Sequence, residues 1–424
     1  MDHVANYPIV RKLGEGATSE VFLCQDPFRN REVAVKRIFP EALRDPVRGR
    51  LFRKVFFTEA SLAGKLEHPH IAQIYDAGMG EDSGYIVMEY VPGGTMERFC
   101  APASLLPIEQ VVDVVFKCTR ALAYAHMQGV AHRDIKPGNI LYAATPTDVR
   151  IGDFGLALNF GAESTQLTGV GSPAYMSPEQ IREEVVDHRT DVYSLGVVMY
   201  QLLAGKLPFQ ATNKFSMIYQ VTTLEPPPPS AARREVPPSL DRIVRRAMQK
   251  EASKRYHSAD EFAEDLLDAL RGGLGQAEEV FGDADKFAAL RALRFFTSFP
   301  DAELWEVVEL AVWEKAIDGT VLMREGEAGD FFCVVLEGEV RVTKNKKLLS
   351  VLGPGECFGE MAYLSLGSAI RGATVTASAD SHVLRVRVAA LEQSSISCRS
   401  KFDRAFIGIL VERLNLANTR LTSG

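Results

Sequence analysis

The chain has 424 residues, 46% hydrophobic and 24% charged, with a formal net charge of −7. That length and apolar content can bury two independent cores, and no segment is basic enough to suggest nucleic acid as a partner. There is no run of about 18 apolar residues and no charged-then-apolar N-terminus, so neither a membrane span nor a signal peptide is expected and a cytoplasmic location follows. The six cysteines (24, 100, 118, 333, 357 and 398) show no C-x-x-C spacing and read as small buried hydrophobes.

The first informative stretch is Gly14-Glu15-Gly16-Ala17-Thr18-Ser19-Glu20-Val21, between apolar runs at Tyr7 to Leu13 and Val21 to Cys24. A glycine-rich hairpin turn is predicted, because missing side chains at Gly14 and Gly16 let backbone approach a phosphate closely. Ser19 stands where a G-x-G-x-x-G pattern would end, so an ordinary glycine turn remains an alternative for the loop alone. Lys36 follows on an alternating strand, Val33-Ala34-Val35-Lys36, and Glu59 sits in a helical run from Phe52 to Leu66. Further on come Met88-Glu89-Tyr90-Val91, then His132-Arg133-Asp134-Ile135-Lys136-Pro137-Gly138-Asn139, then Asp153-Phe154-Gly155. Phosphoryl transfer asks a protein mainly to position groups and neutralise charge, and these cations, carboxylates and amides are the tools for it.

In this order and spacing the residues resemble bacterial Hanks-type (eukaryotic-like) Ser/Thr protein kinases over roughly residues 7 to 270. The resemblance implies a bilobal kinase fold that uses ATP and Mg2+ on a protein substrate. Gly14, Glu15, Gly16, Val21, Ala34, Lys36, Leu141 and the gatekeeper and hinge residues Met88, Glu89 and Val91 would line the ATP site. Glu59 would hold Lys36 against the α/β-phosphates, and Asp134 would accept the substrate hydroxyl proton. Asn139 and Asp153 would hold the metal, whose preference is for hard oxygen ligands. Lys136, two residues beyond Asp134, implies serine or threonine as acceptor. Asp191 would anchor the catalytic loop, Ser172 would bond near Asp134 and Lys136, and Arg255 would pair with Glu179 at the end of an activation segment that starts at Asp153. Arg133 would await a phosphate on Thr165 or Thr168; plain polar loop residues are the alternative there.

Pro226 to Pro229 reads as a loop, Ser258 to Leu270 as an amphipathic helix, and Arg271-Gly272-Gly273-Leu274-Gly275-Gln276 as a linker. A helix is predicted from Asp301 to Val312, with Leu304, Val307, Val308 and Ala311 on one face. Short alternating strands follow at Thr320 to Met323, Phe331 to Leu336, Val340 to Val342, Leu348 to Leu352, Ala373 to Ala377 and Val383 to Val388, separated by glycine turns. That pattern predicts a small β-barrel or jelly roll. With Gly355-Glu356-Cys357-Phe358-Gly359-Glu360-Met361-Ala362 it resembles a cyclic nucleotide-binding domain over residues 286 to about 420.

The resemblance implies a short helix near Gly359 aiming its N–H groups at a cyclic phosphate, Arg371 matching the phosphate charge, and Glu360 accepting the ribose 2′-hydroxyl. Met361 and Ala373 would complete the site. A structural salt bridge between Glu360 and Arg371 is the alternative, because their spacing is longer than the family's and Ile370 stands where a proline often precedes the arginine. Gly372 lacks the hydroxyl that favours guanine, which favours cAMP over cGMP. Phe402, Phe406, Leu410 and Leu414 recur every four residues on a closing helix, as a lid over the base or as packing.

The fold class expected is thus α+β: a kinase domain at 7–270, a linker at 271–285 and a β-roll flanked by helices at 286–420. A cytoplasmic Ser/Thr kinase regulated by a small-molecule cyclic nucleotide is the reading these residues favour. A nucleotide-blind dimerisation module at the C-terminus, with a homodimer, and a dead kinase platform are the alternatives.

Overall fold

A computed structural model describes residues 3–16, 19–44, 64–80, 83–154, 158–159, 173–270, 282–365 and 370–422, with side chains to 411 except that of 42 and those of 158–159. Glu59 and the helical run around it, Thr165, Thr168, Ser172, Gly155 and most of the linker lie outside them. The chain divides into two compact units, Met1–Val280 and Phe281–Gly424.

The first unit opens with six antiparallel strands, β1 (His3–Val4), β2 (Tyr7–Glu15), β3 (Ser19–Asp26), β4 (Arg31–Ile38), β5 (Ile74–Met79) and β6 (Gly84–Glu89), in the order β1-β2-β3-β4-β6-β5. Alternation along the strands puts Val4, Tyr7, Phe22, Cys24, Val33, Val35 and Val87 into one core. Ile38, Ile86 and Leu43, the last on the short helix α1 (Pro40–Arg44), form a second cluster. Register places Lys36 opposite Val21 on one side and Ile86 on the other. The lysine therefore stands mid-sheet, directly across from the end of the glycine hairpin.

A helical region follows. The two-residue strand β7 (Gly94–Thr95) leads to α2 (Ile108–Met127), whose side chains are buried almost all round, as befits a central helix. Short strands β8 (Val130–Ala131), β9 (Ile140–Tyr142), β10 (Val149–Ile151) and β11 (Leu158–Asn159) carry the segment between them. Among the described residues five helices follow: α3 (Pro178–Ile181), α4 (Arg189–Ala204), α5 (Lys214–Thr223), α6 (Pro238–Ala247) and α7 (Ala259–Ala269). Their starts are chemically marked. Ser177 and Gln180 make a reciprocal capping box, and Asn213 and Ser258 cap α5 and α7. Helix α4 stops at Gly205, which is left-handed (φ 70°) and so close to Pro102 that a Cβ would lie 2.9 Å from its nitrogen.

In the second unit, α8 (Asp283–Ala292) and α9 (Asp301–Leu310) precede β12 (Val312–Ala316), β13 (Val321–Met323), β14 (Phe331–Glu337), β15 (Val340–Lys344), β16 (Lys347–Leu352) and β17 (Cys357–Phe358). Then come α10 (Met361–Leu364), β18 (Thr374–Ala377), β19 (Ser381–Arg387), α11 (Val388–Gln393) and α12 (Ile396–Thr422). The strands form two four-stranded antiparallel sheets, β12-β19-β14-β17 and β13-β18-β15-β16, which share a core containing Met323, Cys333, Val335, Phe358, Val375 and Val383. This is the expected β-roll.

Two sequence expectations need correction. The helix predicted to reach Val312 ends at Leu310, because Val312 to Ala316 pair with β19 (Val312 opposite Arg385) and that partner lies far along the chain. The last strand likewise ends at Arg387, and Val388 starts a helix. At the other end of the roll, Phe402 and Phe406 of α12 are fully buried in an aromatic cluster with Phe295, Phe296, Phe299 and Phe332. Leu410 on the same helix is 40% exposed, so the packing role holds for the first two positions of the period.

Candidate active site and effector site

In the first unit the hairpin turn closes with Gly16 N–H donating to the Ser19 carbonyl at 2.7 Å, and Gly14 faces Val21. A Cβ at Gly14 would meet nothing within 4 Å, so the space over this turn is open. Glu15 is exposed and tied to Lys12. Ala34 is buried opposite Met88, Val91 is buried beyond the end of β6, and Glu89 turns its carboxylate to Arg150 (2.8 Å). Leu141 packs beneath Gly152, where a Cβ would come within 3.1 Å of it. The residues expected to line an ATP site thus come from β2, β3, β4, β6 and β9.

The catalytic loop is held by one carboxylate. Asp191, buried at the start of α4, accepts from the backbone N–H of His132 (2.8 Å) and of Arg133 (2.7 Å) and lies 2.8 Å from His126 Nε2. Burial alone would raise its pKa, yet His126, His132 and the Arg133 N–H outweigh that and hold the carboxyl below the usual range. These bonds clamp Arg133 in the left-handed region, φ 65°, which costs a non-glycine residue of order 1–3 kcal/mol. Gln180 Nε2 adds a third restraint on the Arg133 carbonyl (2.9 Å). The loop conformation is over-determined.

So restrained, Asp134 meets its neighbours. Lys136 Nζ donates to Asp134 Oδ2 at 2.7 Å, and Asn139 Nδ2 donates to the same oxygen at 3.0 Å and to the Asp134 carbonyl at 2.8 Å. With its amide nitrogen so engaged, Asn139 keeps its oxygen for another partner. Lys36 Nζ contacts Asp153 Oδ1 across the cleft. Partial burial would raise Asp153, whose side chain is 41% exposed, but Lys36, with His132 and Lys136, holds its carboxyl below the ordinary value. Asp153 is left-handed (φ 57°), and the next residue, Phe154, is buried against His132 with ring centroids 4.5 Å apart. The pairing of Lys36 with Glu59 lies outside the described residues.

Arg133 is half-buried, and among the described residues no carboxylate bonds its guanidinium. Burial pushes its pKa down, its Nη2 reaches only the Val186 carbonyl at 3.5 Å, and among the described residues its Nε has no partner. Glu179 and Arg255 form a buried bidentate pair (2.6 and 2.7 Å), and Arg255 also donates to the carbonyls of Gln249, Arg189 and Lys250. Its donors are saturated, the condition under which a buried ion pair is worth keeping.

In the roll, the guanidinium of Arg371 donates to the carbonyls of Phe331 (2.7 Å) and Gly359 (3.1 Å) and lies 4.6 Å over the Phe331 ring. The bonds described for Arg371 thus go to two backbone carbonyls. Gly359 is left-handed (φ 78°), and a Cβ there would lie 2.7 Å from Arg371 Nη1. Gly329 is equally constrained, since a Cβ would lie 2.6 Å from Arg371 Cζ. The sequence reading took Gly329 as a plain turn residue and missed this contact, for which the glycine itself was the sole signal. The short helix starts at Met361 with Glu360 as its N-cap, and Ala362 N–H bonds the Gly359 carbonyl (3.1 Å) in the turn that leads into it. Glu360 is buried, Met361 is 53% exposed and Ala373 is half-buried.

A two-lobed arrangement of glycine hairpin, mid-sheet lysine and carboxylate-rich loop defines a phosphotransferase-like class of fold, here followed by a β-roll. The chain belongs to the protein kinase family: the protein kinase domain profile matches residues 7–267, and the cyclic nucleotide-binding domain profile matches residues 314–394. It is 39% identical over 286 residues to "Serine/threonine-protein kinase PknB" of Mycobacterium leprae (strain TN), covering 66% of this chain and 45% of the relative. It is 37% identical over 293 residues to the protein of that name in Mycobacterium tuberculosis (strain ATCC 25618 / H37Rv), covering 67% and 46%. "Serine/threonine-protein kinase PrkC" of Bacillus subtilis (strain 168) is 34% identical over 266 residues, covering 62% and 40%. The chain spans about half the length of the curated relatives it matches. Among the described residues no helix is long and apolar enough to cross a membrane.

Proposed function

We propose that this chain transfers the γ-phosphate of ATP to serine or threonine hydroxyls of proteins and that a cyclic nucleotide bound in the roll adjusts the rate. The observation that carries the first half is the convergence of Lys36, Asp134, Lys136, Asn139 and Asp153 on one cleft. Asp134 orients the acceptor hydroxyl and takes its proton. Lys136 and Lys36 supply positive charge to the phosphates, and Glu59 positions Lys36. The oxygen of Asn139, which has no partner among the described residues, and the carboxylate of Asp153 suit a hard divalent ion. Such an ion neutralises developing charge when bound.

For the second half, among the described residues the guanidinium of Arg371 bonds carbonyls, so an arriving cyclic phosphate competes with neutral acceptors for a charged donor fork. Gly359 and Gly329 keep the approach to that fork clear. Glu360, Met361 and Ala373 are assigned to the same nucleotide, with cAMP favoured over cGMP.

One set of assays on the full chain tests both. Lys36→Met and Asp153→Asn each lower ATP-dependent autophosphorylation by roughly 10²-fold or more, and radiolabelling that persists in both variants removes the catalytic assignment. Saturating cAMP changes wild-type activity by about 5- to 150-fold, more in the upward direction, and Arg371→Ala loses that response. A flat activity profile across a titration in which calorimetry records binding overturns the regulatory half alone.

A further inference from the structure

One charge beside the cleft is left over by this mechanism. Glu97 lies in a short 3-10 turn, Met96–Phe99, directly after β7, and the fully buried Met96 pins that turn to the fold. The Glu97 side chain reaches the catalytic loop: a Cβ on Gly138 would lie 2.8 Å from Glu97 Oε1. The carboxylate therefore fills the space that any side chain at 138 would take. Gly138 is followed by Asn139, whose amide bonds the Asp134 carboxylate at 3.0 Å. Along that path Glu97 lies at most roughly 14 Å from Asp134, a distance that an extended peptide covers in about four residues.

A third element borders the same spot. Tyr175, in the stretch before Ser177-Pro178-Glu179, donates to Gln201 Oε1 at 2.6 Å. Its phenol is pushed up by burial first and then by the charges of Cys100 and Glu97 nearby. Gln201 and Tyr175 are neutral, Lys136 is already paired with Asp134, and Arg98 is turned to Tyr142 and the Phe99 ring. Among the described residues the Glu97 carboxylate has no ion pair and no side-chain hydrogen bond. An exposed, uncompensated carboxylate at the edge of a phosphate-transfer loop attracts cations and repels acidic chains.

We infer that Glu97 is a specificity-determining residue, which selects serine or threonine acceptors carrying an arginine or lysine within about four residues of the acceptor hydroxyl. The inference rests on the kinase reading above and names the substrate class for that site. Arginine fits best, because its planar fork matches a carboxylate in two contacts.

The test is a positional peptide library, one arginine, alanine or glutamate moved through four positions on each side of a serine, phosphorylated by the full chain and by Glu97→Gln, Glu97→Lys and Glu264→Gln. The wild type and Glu264→Gln, which alters an exposed carboxylate on α7, share a preference for arginine over alanine at one or two positions. That preference is about 3- to 10-fold in kcat/KM and weakens in high salt. Glu97→Gln flattens the preference and Glu97→Lys turns it toward glutamate at the same positions. Peptides labelled by the wild type without a basic preference, or with one that Glu97→Lys leaves intact, overturn the inference and spare the kinase reading. A wild-type chain that labels neither peptides nor itself overturns the kinase reading and this inference with it.

Discussion

His68 and His70 show what single side chains contribute. Both are buried, and the Nδ1 of His68 accepts the backbone N–H of His70 at 3.1 Å, which requires that nitrogen to be unprotonated. Burial first and Arg120 second push the His68 imidazole down from its ordinary 6.5 to about 3, and His70 is held well below the ordinary value as well. A base whose folded pKa is depressed stays neutral while folded but takes up a proton on unfolding, so stability is full above about pH 6.5 and falls as pH drops toward 3. Each such histidine steepens the acid limb by about 1.4 kcal/mol per pH unit. Replacing His68 with asparagine, which can accept the same N–H, is expected to lower the slope of unfolding free energy against pH by about that amount between pH 6 and 4. Urea melts across that range check it, and parallel curves for the two proteins reject it. Much of the active site was legible at this scale, because Lys36, Asp134, Asn139 and Asp153 carry charge or amide groups at rigid chain spacings. Gly329 and Glu97 were not legible, since their contacts with Arg371 and Gly138 join residues far apart in the chain.

At the scale of elements, the two residues that bound the segment from Asp153 to Glu179 each meet a cation. Asp153 is set by Lys36, and Glu179 by the saturated Arg255, while Arg133 offers a half-enclosed guanidinium between them. We propose Thr165 or Thr168 as the phosphorylated residue that this cation receives. Thr165→Ala combined with Thr168→Ala is expected to lower the rate on a peptide substrate several-fold without altering the thermal midpoint; an unchanged rate, with mass spectrometry placing phosphate on the wild-type threonines, overturns it. Helices and strands were legible where local periodicity decided them: Ser258 and the apolar positions Phe262, Ala263 and Leu266 announce α7. Where long-range pairing decided, local pattern misled. The apolar spacing of α9 runs on through Val312, yet β19 draws Val312 to Ala316 into a sheet, and the two-residue β17 exists only because β14 pairs with it.

At the level of the whole molecule, the catalytic and effector residues fall in units with separate cores. Calorimetry of the full chain is expected to resolve two thermal transitions. A ligand at about 100 times its Kd stabilises what it binds by about 2.7 kcal/mol. Cyclic AMP should therefore lift one transition and magnesium-ATP the other, and Arg371→Ala should cancel the first shift only. One transition moved equally by both ligands refutes the division. The order of the two units along the chain also has a consequence in time. The unit Met1–Val280 is synthesised before the 144 residues of Phe281–Gly424, which at about 5–20 residues per second take roughly 7 to 29 s to make. Domains fold as they emerge, so each newborn molecule passes through an interval in which the unit with the protein kinase domain can be folded while the cyclic nucleotide-binding domain has not yet been made.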